Sequence, residues 1–460
     1  MPALMVRIGM SLTLLCCLGA CPQPNPFPDG GGGGTGGGTG GGSGLSPFTL
    51  TDLDPAAVDA TSFAMAVDPV AERVGVAYYS AAGTQTMMGT PDYNIKYVEW
   101  KQGVVSPIQI VRPVVQRMAG IALVFDPATG EPIMSYLGGA AGFEMGMSIF
   151  WFQSDAVINR RTGGSTWTET TVATDGNQVT CGNGVSDRGF LVGLWPALAL
   201  DSTGKMYLAY RDGHAGQFPQ QDWAGSDVEL WDGAPPPTNK TCLAQGGNNK
   251  QAWGGHNTMV IGADDQPAII YDQMFGTADS NGINVIFQKR SAAGTWTPPG
   301  TLLSISNTQT GASLAWDPQE GYGIAVVDRA TNQLSYVNSL NGTAWSTVDP
   351  VFGAGTGGWY PNLAMDPINH EPAIAFYVCS PRGSVNETGC TTTDDRLVVT
   401  QRIVGTWRET LVDANGGYHP KIGFFASGKK VITYRAPPAI DPVTGLTATN
   451  VGALKIAVER

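Results

Sequence analysis

The chain is poor in charge and in residues that do chemistry unaided. Only 14% of its 460 residues are Asp, Glu, Lys or Arg, and it holds 4 histidines. GxSxG, HExxH and Walker-type GK[ST] signatures are missing, which removes the usual sequence arguments for a serine hydrolase, a zinc peptidase or a P-loop nucleotide site. Helical periodicity is scarce throughout, which argues against all-α and alternating α/β folds. Basic residues are few as well. With 26 Lys and Arg against 38 Asp and Glu, the net charge is −12. A field of that sign disfavours nucleic acid and direct adsorption to anionic headgroups.

Glycine and the large aromatics are abundant: 62 Gly, 12 Trp and 14 Tyr. That mix suits an all-β protein with many turns. The first 20 residues form a targeting segment, with Arg7 in a short positive region and an apolar run, Ile8–Leu18, too short to span a bilayer. Leu18-Gly19-Ala20-Cys21 then resembles the bacterial lipobox. The resemblance implies cleavage before Cys21, acylation of its sulfur, and a membrane contact through that lipid. Pro22, in place of an Asp, favours the outer membrane of the cell envelope. An ordinary signal peptide cut near Ala20 is the alternative.

Residues 21–45 read as a tether. Pro22, Pro24, Pro26 and Pro28 are followed by Gly30–Gly44, broken only by Thr35, Thr39 and Ser43. Such a segment cannot bury enough surface to offset its ordering entropy. Its root-mean-square span is roughly 25–30 Å, enough to hold a folded domain clear of the headgroups. Beyond it, Cys181, Cys242, Cys379 and Cys390 remain. An oxidising compartment makes two disulfides the expectation, with three possible pairings. Cys379 and Cys390 close a short loop, which leaves Cys181 with Cys242. The spacings match no zinc pattern, and no metal or other cofactor is expected.

Residues 46–460 carry a repeat. Its unit is an apolar strand, a tight turn and a second alternating strand, as in Pro196–Tyr210, PALALDSTGKMYLAY. Second strands end at Tyr78, Tyr136, Tyr210, Tyr271, Val327, Phe376 and Tyr434. A turn aspartate precedes five of them, at Asp68, Asp126, Asp201, Asp317 and Asp366. A third strand (NIKYVEW, GINVIFQ) and a fourth beginning at Trp167, Trp296, Trp345 or Trp407 complete the unit. Four-stranded units repeated every 50 to 75 residues or so predict a seven-bladed β-propeller. The seventh unit has three strands after Tyr418, whereas Ser46–Asp54 is a strand without a unit. The N-terminal strand is therefore expected to close the last blade and remove an exposed edge.

In such a ring, the loops between second and third strands and those between blades share one face. The long segments, including Arg211–Ser226, Cys379–Asp395 and Arg435–Asn450, fall there. Ligand-binding candidates on this face are Arg211, Asp212, His214, His256, Tyr271, Asp272, Trp359, Tyr360, His419 and Arg435, beside Trp195. Aromatic platforms with Arg, Asp and His beside them suit a carbohydrate or a peptide. The tyrosines ending second strands have packing between blades as their bland alternative.

Ser291–Trp296 and Ser339–Trp345 resemble shortened Asp-boxes, with Asn341 where one Asp would stand. In sialidase-like propellers that motif marks the hairpin between third and fourth strands and is structural. The resemblance implies the propeller fold; the arginine cluster and Tyr–Glu pair of a sialidase are not found. A binding or scaffold module is thus the first expectation, and a carbohydrate-active hydrolase or lyase the second.

Overall fold

The computed structural model describes residues 46–460 apart from 58–61, 86–90, 116–119, 143–151, 174–180, 182–191, 213–225, 234–239, 246–250, 276–282, 306–310, 329–330, 332, 353–357, 379–395 and 437–452. The chain is a seven-bladed β-propeller. Blade one holds Phe63–Asp68, Arg73–Gln85 and Pro91–Lys101, with an outer edge in two pieces, Val104–Val105 and Gln109–Val115. Blade two is Ala122–Phe125, Pro132–Gly142, Phe152–Gly163 and Thr166–Ala173; blade three is Val192–Leu200, Met206–Asp212, Asp227–Trp231 and Lys240–Ala244. Blade four is Gln251–Ile261, Pro267–Phe275, Ile283–Lys289 and Gly300–Ile305; blade five is Ser313–Asp317, Gly321–Asp328, Gln333–Ser339 and Asp349–Phe352. Blade six is Trp359–Met365, Pro372–Val378, Arg396–Ile403 and Thr406–Asp413. Blade seven is Tyr418–Phe424, Lys430–Arg435, Leu454–Glu459 and, as outermost strand, Phe48–Asp54. The innermost strand of each blade touches that of the next, and the last touches the first.

The expected ring closure is present. Phe48–Asp54 runs antiparallel to Leu454–Glu459, with Phe48 opposite Glu459 and Asp54 opposite Leu454. This seam copies its neighbour. Tyr434 donates to Asp413, at the end of the outer strand of blade six, over 2.6 Å, and Tyr78 donates to Asp54, at the end of the closing strand, over 2.7 Å. Phe48 joins the apolar cluster between blades six and seven, and Leu53 joins the one between blades seven and one.

Outer-strand tryptophans make a second, recurring seam. Trp167 of blade two packs edge-on against Tyr97 of blade one, with centroids 5.2 Å apart, and donates to Gln109. Trp407 of blade six repeats this on Tyr336 of blade five at 5.5 Å and donates to Asp349. The fourth strands of blades four and five start later than expected, after Trp296 and Trp345 rather than at them. In blade four Pro298 and Pro299 stand between the tryptophan and the strand, and proline has no N–H for the ladder. Pro107 divides the outer edge of blade one for the same reason.

The turn aspartates act locally. The Asp201 carboxylate accepts from the backbone N–H groups of Thr203 and Lys205 at 3.0 and 2.9 Å, and Gly204 supplies a φ of 81°. Asp126, Asp317 and Asp366 accept in the same way. Between strands three and four of blade five, Asn341 takes the equivalent role, accepting from Thr343 and Ala344.

Two outcomes test this account. Phe48→Ala is expected to destabilise the ring by about 3 to 5 kcal/mol in chemical denaturation, because a buried aromatic is lost. Leu50→Ala, on the same strand but 39% exposed, should change stability by about 0.5 kcal/mol or less. The second outcome concerns acid. Burial raises the Asp366 pKa, but hydrogen bonds from Asn369, Ile368 and Gln401 outweigh it, leaving the carboxyl below its ordinary range. A pKa depressed by folding stabilises above the unfolded value of about 4, and that contribution is lost as pH falls through the folded value. Asp366→Asn should cost about 1 kcal/mol at neutral pH and flatten the loss of stability between about pH 4 and pH 2.

Candidate functional site

The inner strands of blades three, four, six and seven share an irregularity. Leu194 pairs with Arg211 and Ala197 with Ala209, so the inner strand advances three residues while its partner advances two. The same one-residue bulge separates Gly255 from Thr258, Trp359 from Asn362 and Tyr418 from Lys421. An inner strand has no strand neighbour on its channel side, so it tolerates both a bulge and the prolines Pro196, Pro361 and Pro420 that sit in three of these.

At each bulge one residue turns left-handed. Trp195, His256, Tyr360 and His419 have φ of 44°, 49°, 55° and 52°. The corresponding residues of blades two and five are Gly120 and Gly311, at φ 90° and 74°. Glycine adopts this conformation freely, whereas bulky aromatic residues do so at a cost of about 1 to 2 kcal/mol each. The glycines also make room. A Cβ on Gly120 would lie 2.7 Å from the Cα of Trp195, and one on Gly311 would lie 2.9 Å from the Cβ of His256.

The four side chains form two pairs. Trp195 and His256 meet edge-on with centroids 5.8 Å apart, and Tyr360 and His419 lie at 4.0 Å. All four are partly exposed at the start of the inner strands, the end of the channel to which the long connecting segments attach. We refer to them as the collar.

Several of the expected residues support this collar from behind. Arg211 is buried with its guanidinium 5.1 Å from the Trp195 ring centroid. The buried Asp272 lies 2.8 Å from Nδ1 of His256, which fixes the ring and leaves Nε2 without a hydrogen bond among the described residues. Asn257 donates to the backbone oxygen of Trp195 over 2.8 Å, joining blades three and four. In the other half, Arg435 is buried 4.9 Å from the Tyr418 ring centroid, and Tyr418 meets Tyr377 edge-on at 4.6 Å. Trp359 is buried in this layer, with Tyr360 packed on it.

Other candidates lie elsewhere. Tyr271 is buried inside blade four and donates to Gln288 over 2.7 Å, and burial pushes its hydroxyl pKa well above the ordinary value. Its position is the packing one weighed for second-strand tyrosines. Asp212 is buried opposite Asp227 in blade three. His214, Cys379, Cys390 and Cys21 lie outside the described residues. Cys181 and Cys242 form a disulfide, with Cα atoms 5.1 Å apart. Among the described residues no group of three or more His, Cys, Asp or Glu is placed to hold a metal ion. Lys421, just beyond the bulge at His419, is a residue of this layer that the candidate set did not contain.

No family model matches the chain, and no curated protein matches it. Its likeness is to solved structures. A puromycin hydrolase variant is 13% identical with a TM-score of 0.51, over 89% of this chain and 56% of that one. The polysaccharide lyase Uly1 is 10% identical with a TM-score of 0.48, over 84% and 88%. The NanB sialidase of Streptococcus pneumoniae is 12% identical with a TM-score of 0.43, over 90% and 70%. At these identities the likeness is one of fold.

The left-handed geometry has a measurable signature. At Tyr360 the Gly variant is expected to be more stable than the Ala variant by about 1 kcal/mol in denaturant unfolding, because only glycine relieves the strain. At the regular strand position Leu363 the order should reverse.

Proposed function

We propose that the protein is a lipid-anchored binding module of the cell envelope that takes a carbohydrate ligand on the collar. The observation carrying this reading is the set of four aromatic side chains held left-handed at equivalent positions. Backbone strain that recurs at one structural level and falls on large rings points to a role beyond packing. Sugar rings present apolar C–H faces that stack on such side chains, while buried polar groups behind them fix orientation. Arg211, Asp272 and Arg435 stand behind the rings in those places. The anchor is proposed at Cys21, with residues 22–45 as the tether.

A screen of immobilised oligosaccharides tests the reading. Wild type should bind at least one, and Trp195→Ala and Tyr360→Ala should each weaken that binding about tenfold or more, roughly 1.4 kcal/mol. Trp407→Phe, in the outer seam, should leave affinity unchanged. Binding that survives both collar substitutions overturns the assignment. For the anchor, Cys21→Ser should move the protein from the membrane fraction to the soluble fraction.

A second reading, carbohydrate hydrolase or lyase, is favoured by the His256–Asp272 pair. A histidine oriented through Nδ1 by a buried carboxylate keeps Nε2 for proton transfer. Release of reducing ends or of unsaturated sugar, abolished by His256→Ala, would establish it.

A further inference from the structure

One level below the collar, each inner strand places an equivalent residue beside the channel: Ala64, Ala122, Ala197, Thr258, Ser313, Asn362 and Lys421. Where these residues are polar, they reach the inner strand of the following blade. The Thr258 hydroxyl donates to the Ala312 carbonyl over 3.4 Å, and the Ser313 hydroxyl accepts from the Leu363 amide over 2.9 Å. Asn362 in turn accepts from the Ile422 amide over 2.8 Å. The series ends at Lys421, whose ammonium makes no ion pair or side-chain hydrogen bond among the described residues.

Two observations set Lys421 apart. It is half-buried on an innermost strand, which borders the channel. Protein surrounds it otherwise, and burial pulls its pKa below the ordinary lysine value. Directly across the strand pair, on the same face of the sheet, is Thr433. Thr433 is fully buried, and its Oγ1 has no hydrogen-bond partner among the described residues. The equivalent cross-strand pairs of the other blades have at most one polar member: Ala64 with Ala77, Ala122 with Ser135, Ala197 with Ala209, Thr258 with Ile270, Ser313 with Ala325 and Asn362 with Ala375. A lysine this enclosed is rare without a counter-charge, and a buried hydroxyl is rare without a partner. Here both occur side by side, in a chain with an excess of acidic residues.

We infer that Lys421, on the channel wall beside Thr433, receives a carboxylate borne by the ligand, so that the collar selects acidic saccharides such as uronic-acid oligomers over neutral ones. The inference rests on the carbohydrate reading above and names the ligand class. Stacking on Tyr360 and His419, two residues before Lys421, would hold the sugar ring while its carboxylate enters the wall below. The ammonium would then gain a partner in a charge-assisted contact.

The experiment compares neutral and uronic-acid oligosaccharides of equal length on wild type, Lys421→Met and Tyr360→Ala. Lys421→Met keeps the side-chain length and removes the charge, and without ligand its melting temperature should rise by about 2 to 4 °C as the unpaired charge is lost. Wild type should bind the acidic series about tenfold or more tighter than the neutral one. Lys421→Met should erase that preference, while Tyr360→Ala weakens both series. Equal binding of the two series by wild type overturns the inference and leaves the carbohydrate reading intact. If neither series binds, the carbohydrate reading fails. The Lys421 site is then judged by free glucuronate at tens of millimolar against glucose: a melting-temperature rise seen in wild type and absent in Lys421→Met upholds it, and no rise in wild type overturns it.

Discussion

Everything in this molecule depends on the ring returning to its starting point. A blade buries its faces only because another blade stands on each side, so an open array of seven would leave two sheet faces and a long edge in water. The chain meets this demand by lending its first strand to its last blade. The seam it creates is chemically the same as the one before it. An aspartate ends the outer strand, a buried tyrosine of the next blade donates to it, and the same carboxylate accepts from the following turn, at Asp54 as at Asp413. Closure is thus not an improvised junction but a further instance of the contact that joins blades six and seven.

A closed ring is rigid, and rigidity is what lets the collar persist. Four bulky residues in left-handed backbone would relax if the neighbouring strands could shift. They are held because bulge, glycine and cross-blade bond come together. Gly120 and Gly311 leave space for Trp195 and His256, and Asn257 clasps the Trp195 carbonyl from the next blade. The contrast with the far face is instructive. There the turn carboxylates are consumed by backbone amides and by neighbours such as Arg160 and His370. At the collar end the four rings are partly exposed, and Nε2 of His256 has no hydrogen bond among the described residues.

Much of this was legible in the sequence. Strand alternation and the turn aspartates gave the blade count, and the unmatched Ser46–Asp54 foretold the closure. The roles of Trp167 and Trp407 followed from their place in the repeat. The collar was legible only in part. Trp195, His256, Tyr360 and His419 stood out as polar or aromatic residues before first strands, but they lie inside those strands, at a bulge. A bulge adds one residue without altering the composition around it, so alternation alone does not report it. Aligning the seven units on their turns would have put the two histidines in register with Gly120 and Gly311, and that mixture of glycine and aromatics at one position is the signal of positive φ. Lys421 was missed for a simpler reason. Its distinction is the absence of a partner among the described residues, which only three-dimensional neighbours reveal. Tyr271 entered the candidate set because it holds the place of Tyr210 one blade on, and in three dimensions it is buried inside its blade.

The closing strand also sets an order of events. Phe48–Asp54 is made early and pairs with Leu454–Glu459, some four hundred residues later in the chain. Six blades can assemble while this strand waits, but none of the intermediates has its full set of seams. A nascent or broken chain therefore leaves Phe48–Asp54 or Leu454–Glu459 without its partner strand, and the finished ring pairs both. The longest-range contact in the fold doubles as a record that both ends of the propeller have met.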